Sequence, residues 1–145
     1  VLVKGYITST EDYCNGARPS EEMVQDLAKE KPLVDKIIYV KIGTLNSSKN
    51  KLVKKVKSNA EGRFEVWLKP GVKYYFVEEW KGKPFVAPRN TNEIKWDLVC
   101  LRKRYATPDF VIKVNNINNP EVQINYHKQC YFNPYCGTYS GPLPP

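Results

Sequence analysis

The stretch Asn59–Val77, NAEGRFEVWLKPGVKYYFV, is the segment that decides the fold. Apolar and polar residues alternate in both of its halves, which is the period of a β-strand with one buried face. Between the halves, Pro70 and Gly71 favour a tight turn. The pattern predicts a β-hairpin whose apolar face consists of Phe64, Val66, Leu68, Val72, Tyr74 and Phe76. Because an isolated two-stranded hairpin is marginal in water, a second sheet is needed above it, as in a β-sandwich.

The remaining chain supplies enough strand-like segments for such a sandwich. Further alternating segments are expected at residues 1–9, 35–44, 51–58, 93–101, 109–114 and 122–127. One short helix is predicted near residues 20–31, where Ser20 can cap its start and Pro32 lies just beyond its end. We therefore predict an all-β single domain over residues 1–145, a sandwich of about seven to eight strands. A helical insertion covers residues 10–35, and a disulfide-clasped tail covers residues 128–145.

The charge of the chain is strongly basic, with a formal net charge of +8 over 145 residues. A basic balance fits nucleic acid, an anionic membrane or an anionic glycan as partner, but also a solvated surface. The two densest groups of cations are Lys49, Lys51, Lys54, Lys55 and Lys57, and then Arg102, Lys103 and Arg104. Neither group lies on a candidate recognition helix, so we predict no specific nucleic acid partner. The lysines at 51–57 are typical of an exposed edge strand. No apolar run is long enough for a transmembrane helix.

The four cysteines indicate two disulfides in an exported protein. Three pairings are possible, and we predict Cys130–Cys136 as a local clasp, because Asn133 and Pro134 between them favour a turn. Cys14–Cys100 is then the long-range bridge. The alternative is a metal-handling site at His127, Cys130 and Cys136, whose nitrogen and sulfur atoms suit zinc or copper(I).

The chain begins with Val1 rather than Met, at an expected strand. We interpret this as a processed chain, from which a signal peptide was removed or before which a lipid anchor lies. The expected location is the periplasm, the outer membrane surface or the extracellular space.

Two segments resemble the transthyretin-like sandwich family, which includes carboxypeptidase regulatory-like domains and collagen-adhesin B-type repeats. They are VKGYITS at residues 3–9 and SNAEGRFEVWLKPGVKYYFV at residues 58–77. The positions that match the family pattern are Gly5, Asn59, Gly62, Phe64, Leu68, Pro70, Gly71 and Tyr74. The resemblance covers residues 1–9 and 35–80, and it implies an accessory, adhesive or scaffolding module. The insertion and the C-terminal third have no counterpart in the basic module, and the cysteine-rich tail resembles small exported proteins of Bacteroidetes-type bacteria.

The sequence predicts no enzyme and no cofactor. It holds one histidine, His127, and no nucleophile elbow, zinc-protease or P-loop motif. One branch of the family that the chain resembles hydrolyses 5-hydroxyisourate with several histidines, an arginine and a C-terminal Tyr-Arg-Gly-Ser. This chain has a single histidine and reads Tyr-Ser-Gly-Pro at residues 139–142, so the resemblance does not extend to that activity.

The function expected is therefore binding, in a non-catalytic module that contacts another protein as a small subunit of a cell-envelope assembly. Aromatic residues are favoured anchors at interfaces, and the candidates are Tyr131, Phe132, Tyr135 and Tyr139. These rings equally suit packing of the tail onto the sandwich. The alternative function is carbohydrate binding, with Trp67, Trp80 and Trp96 as stacking platforms. Trp67 would not serve if it packs under the inserted helix.

Overall fold

The computed structural model describes all residues, 1–145, as a mostly β protein with ten strands and three helices. The elements are β1 (Leu2–Glu11), α1 (Glu21–Ala28), β2 (Lys31–Pro32), β3 (Ile37–Ile42), β4 (Leu52–Lys57), β5 (Arg63–Trp67), β6 (Lys73–Glu78), α2 (Glu79–Gly82), β7 (Ile94–Trp96), α3 (Leu98–Ala106), β8 (Phe110–Lys113), β9 (Val122–Lys128) and β10 (Gly137–Tyr139). The predicted all-β class is confirmed only in a coarser form, since the chain is mostly β and also has three helices. The expected seven to eight strands and one helix are too few, because they omit the short strands β2 and β10 and the helices α2 and α3.

Two four-stranded sheets carry the fold. In the first sheet β1 is central, with β9 parallel along one edge and the antiparallel strands β5 and β2 sharing the other. The second sheet is antiparallel throughout, in the order β4-β3-β6-β8. The lysine-rich strand β4 is thus an edge strand, as its composition predicts. A third, two-stranded sheet joins β7 to β10.

A shared core of 14 buried residues lies between the two large sheets and gives a sandwich-like arrangement. The first sheet contributes Val3, Ile7, Phe64, Val66, Val122 and Ile124, and the second sheet contributes Ile38, Val40, Val56, Tyr74, Phe76 and Ile112. Gly5 lies opposite Phe64 in the β1–β5 pair, and a Cβ at Gly5 would come within 2.0 Å of the Phe64 ring. The phenyl ring therefore occupies space that any other residue at position 5 would fill.

The segment 59–77 forms the two predicted strands but not the predicted hairpin. β5 pairs with β1 in the first sheet, whereas β6 pairs with β3 and β8 in the second. The turn at Pro70 and Gly71, where Gly71 has a φ of +83°, carries the chain across the core from one sheet to the other. The alternation of apolar and polar residues and the turn residues are the same whether two strands form a hairpin or belong to opposite sheets. Only the pairing of β5 with the distant strand β1 decides between these two arrangements.

The predicted strand 93–101 is wrong beyond Trp96, because the chain turns into helix α3 there. The Asp97 carboxylate accepts a hydrogen bond from the Cys100 backbone N–H at 3.1 Å and caps the helix. Leu101 and Tyr105, four residues apart, are the buried face of α3.

The two predicted disulfide pairings are wrong, although both pairs of cysteines are oxidised. The bridges are Cys14–Cys130 and Cys100–Cys136. The parallel register of β1 and β9 pairs Glu11 with Lys128, so the chain leaves both strands side by side and brings Cys14 to Cys130. The β7–β10 pair likewise brings Cys136 to the start of α3, where Cys100 lies. The tail is therefore tied to two other parts of the fold and is not clasped on itself.

The insertion contains the predicted helix as α1, and Ser20 caps it by accepting from the Met23 backbone N–H at 3.1 Å. No residue of α1 is buried. β1 extends into the predicted insertion as far as Glu11, and β2 within the insertion pairs with Thr8 and Ser9 of β1, so the inserted part is shorter than predicted.

Candidate functional site

An aromatic groove of about 330 Å³ is a mostly apolar concave surface, since six of its eight lining residues are hydrophobic. We define the aromatic groove by its lining residues Trp80, Phe85, Val86, Pro88, Trp96, Leu101, Arg104 and Tyr135. Helix α2, the loop that follows it, strand β7 and helix α3 provide all of them except Tyr135. The disulfide from Cys100 on α3 to Cys136 holds that last residue against the groove. Val86 is 83% exposed at the rim.

Arg104 closes one side of the groove by stacking on two rings. Its guanidinium carbon lies 3.9 Å from the centre of the Tyr135 ring and 5.7 Å from that of Trp80. Such contacts hold the planar guanidinium in place while its edge N–H groups stay free. No carboxylate lies within salt-bridge distance of Arg104, since the six ion pairs of the chain involve other residues.

A polar cleft of about 460 Å³ adjoins the aromatic groove and shares Arg104 and Tyr135 with it. The cleft is lined by Glu78, Lys81, Arg104, Asp109, Gln123, Ile124, Asn125, Tyr126, His127 and Tyr135. Its floor is a buried ion pair, in which Lys81 Nζ lies 2.8 Å from Asp109 Oδ1 and the two side chains are 7% and 8% exposed. Lys81 also donates to the Thr107 carbonyl at 2.9 Å. This geometry satisfies the two buried charges within the protein.

Asp109 also organises the neighbouring side chains of the cleft. Its Oδ2 atom accepts hydrogen bonds from the Tyr126 hydroxyl and from the Glu78 backbone N–H. Burial, together with the negative charge and hydrogen bond of Asp109, raises the pKa of Tyr126 well above its ordinary value. Glu78 in turn lies 2.9 Å from Lys36 Nζ and accepts from the Trp80 indole N–H at 2.7 Å. The wall between groove and cleft is thereby fixed by hydrogen bonds.

The predicted metal set of His127, Cys130 and Cys136 is not assembled. Cys130 and Cys136 belong to two different disulfides, so neither supplies a thiolate ligand. His127 instead contacts Thr10 Oγ1 through Nδ1 and Asp12 Oδ1 through Nε2, each at 2.7 Å.

The four predicted tail aromatics separate into two groups. Tyr131 packs edge-on against Phe132 and Tyr139, with ring centres 5.3 and 5.6 Å apart. The hydroxyl groups of Tyr131 and Tyr139 both donate to the Pro142 carbonyl, so these rings hold the tail. Tyr135 alone of the four lines the aromatic groove.

The three tryptophans predicted as platforms lie on two different surfaces. Trp80 and Trp96 line the groove, while Trp67 points out of the first sheet and is 74% exposed. Trp67 does not pack under the inserted helix. The sequence predicts no binding role for Phe85 or Arg104, although both line the groove. The capping Asp97 and the spacing of Leu101 and Tyr105 would have placed Arg104 on a helix, but nothing local brings that helix to Trp80.

Comparisons with protein-family models, curated proteins and solved structures find no match for this chain. None of its helices combines the length and the apolar character that crossing a membrane demands. The two disulfides indicate folding in an oxidising, non-cytoplasmic environment.

Proposed function

We propose that this protein is an exported, non-catalytic module that binds another protein through the aromatic groove, as a small accessory subunit of a cell-envelope assembly. The observation that carries the proposal is the groove itself, in which Trp80, Trp96 and Tyr135 gather with Pro88 around an unpaired Arg104. Aromatic residues and arginine are the types most enriched at the energetic centres of protein interfaces.

The transthyretin-like type of the sandwich is part of this proposal. It is supported by the roles of three matching residues: Gly5 admits the Phe64 ring, Phe64 is 5% exposed in the core, and Gly62 has a φ of +74°. The oxidised cysteines support export, because thiols in the cytosol are kept reduced. The resemblance also favours an accessory role.

Site-specific photo-crosslinking in the cells that produce the protein tests the proposed function. The photoreactive residue p-benzoylphenylalanine replaces Val86 at the groove rim, or Ile117 in the loop after β8 as matched control. Both positions are aliphatic and almost fully exposed, at 83% and 86%. A discrete protein adduct from position 86, absent from position 117, is the expected result. Equal adducts from both positions, or none from position 86, would contradict the proposal.

Carbohydrate binding is the second candidate, and the exposure of Trp67 favours it. Trp67 lies on the outer face of the first sheet, which it shares with the exposed cross-strand pair Lys4 and Glu65, two positions along the strands. An open tryptophan face beside polar groups suits stacking against a sugar ring. Affinity electrophoresis in gels that contain cell-wall polysaccharide compares Trp67→Ala with Trp80→Ala. Retardation that only Trp67→Ala abolishes would favour this second function over the first.

A further inference from the structure

Arg104 carries the one uncompensated charge of the polar cleft. The two carboxylates that line the cleft, Glu78 and Asp109, are paired with Lys36 and Lys81 at 2.9 and 2.8 Å. Lys36 and Lys81 neutralise these two carboxylates, so the guanidinium of Arg104 is left without a carboxylate partner. It is nevertheless half-buried and held between two rings. A fixed, unpaired guanidinium presents paired N–H donors that match the two oxygens of a carboxylate.

The position of Arg104 defines where such a carboxylate would lie on a ligand. Arg104 and Tyr135 belong to the lining of both cavities, so the guanidinium lies at the junction of apolar groove and polar cleft. A ligand that spans the junction has an apolar part on the Trp80 side and polar groups on the side of Asn125 and His127. Because the cleft continues beyond Arg104, the ligand chain need not end there.

We propose that the aromatic groove recognises an extended, unfolded segment of a partner protein in which an apolar or proline residue lies next to an acidic side chain, with that carboxylate bound by Arg104. This inference rests on the proposed function and names the chemistry of its partner. Extended, proline-containing segments lose little conformational entropy on binding, and aromatic grooves are their usual receptors. The basic neighbours Arg102 and Lys103 attract acidic segments over a longer range.

The test uses two pools of short acetylated and amidated peptides, with apolar residues and proline randomised around a central Asp or a central Asn. Because both ends are blocked, the only carboxylate is that of the central side chain. The pools are titrated into the 15N-labelled, disulfide-intact full chain, and the three tryptophan indole N–H signals are followed by NMR. Trp80 and Trp96 report on the groove, while Trp67 on the outer face of the first sheet is an internal control.

The expected result is that the Asp pool shifts the Trp80 and Trp96 signals and binds about tenfold more tightly than the Asn pool, as a charge-assisted pair of hydrogen bonds provides. Arg104→Gln should abolish this preference, whereas Lys103→Gln removes the same charge from the same helix and should retain it. Arg104→Lys keeps the charge without the planar donor pair and should retain only part of the preference. Thermal unfolding of each variant confirms that it is folded.

Equal binding of the two pools would overturn the role of Arg104 and leave the proposed protein-binding function standing. Absence of any shift at Trp80 and Trp96 with both pools would overturn the extended-segment assignment, whereas the proposed function itself is decided by the crosslinking from position 86. A parallel titration with a uronic acid disaccharide distinguishes an acidic glycan. Shifts at Trp80 and Trp96 with the sugar, and none with the peptides, would overturn the peptide assignment.

Discussion

The ion pair at the floor of the polar cleft allows a quantitative prediction, because both side chains are almost fully buried and each charge is the counter-charge of the other. Replacing Asp109 with Asn keeps the shape of the side chain but leaves the Lys81 ammonium, which is 7% exposed, without a counter-charge. Breaking such a pair costs about 3 to 5 kcal/mol. Lys81→Met should cost about 3 kcal/mol, since the orphaned carboxylate retains two hydrogen-bond donors. A domain of typical stability, about 5 to 15 kcal/mol, tolerates either change singly.

The double variant Lys81→Met/Asp109→Asn is the decisive measurement. Neither buried charge remains, so it should be no less stable than Asp109→Asn alone, with a coupling free energy of about 3 kcal/mol or more. Urea unfolding of the disulfide-intact protein at neutral pH measures all four variants of the cycle. The control cycle uses Lys31 and Asp26, whose side chains are 54% and 63% exposed and whose coupling should stay below about 1 kcal/mol. Additive costs at Lys81 and Asp109 would show that this pair is solvated and would refute the reasoning.

Three further predictions concern single side chains. Burial lowers the pKa of Lys41, which is 3% exposed, so the charge of this side chain disfavours the folded state at neutral pH. Lys41→Met should therefore raise the urea midpoint at pH 7. This gain should shrink as the pH approaches about 10.5, because the folded chain then holds the lysine neutral. The raised pKa of Tyr126 keeps its hydroxyl neutral in the folded chain, so its stabilising effect is complete below about pH 10 and declines above it by up to about 1.4 kcal/mol per pH unit. The stability difference between the native chain and Tyr126→Phe should therefore narrow between pH 9 and 11, and a constant difference would contradict a folded-state effect. Acrylamide should quench Trp67 most strongly of the three tryptophans, so Trp67→Phe should remove the most accessible part of the emission.

Local sequence signals predict the strands of this protein well and their connections poorly. The alternation of apolar and polar residues around Phe64 and Phe76 reports which face of each strand is buried. Both rings lie in the core, as this pattern predicts. A turn such as Pro70-Gly71 has the same residues whether the strands pair or cross to opposite sheets. That choice depends on β1 adding to β5, an interaction between residues about 60 positions apart.

Alternation also misleads where a short strand runs directly into a helix. Ile94, Trp96, Leu98 and Cys100 have the two-residue period of a strand, yet only the first two lie in β7. The carboxylate of Asp97 is the local signal for the change, because it satisfies a backbone N–H that a helix start leaves unpaired. In the helical interpretation, Leu101 and Tyr105 pack inward and Arg104 turns toward the Trp80 ring. Because a strand is predicted where helix α3 begins, the sequence does not predict that Arg104 faces the groove, and the proposed recognition depends on this residue.

The wrong prediction of the disulfides is a second reason why the sequence does not predict the aromatic groove. A Cys130–Cys136 clasp would close a loop of tail residues on themselves and leave Tyr135 on the tail. In the structure, Cys100–Cys136 attaches the residue after Tyr135 to α3, the helix that carries Arg104, and this brings the tyrosine ring within 3.9 Å of the guanidinium. Cys14–Cys130 fixes the other end of the same segment to the chain after β1. The position of Tyr135 in the groove thus depends on the parallel pairing of β1 with β9 and on the antiparallel pairing of β7 with β10, so it is a product of long-range topology rather than of any local motif.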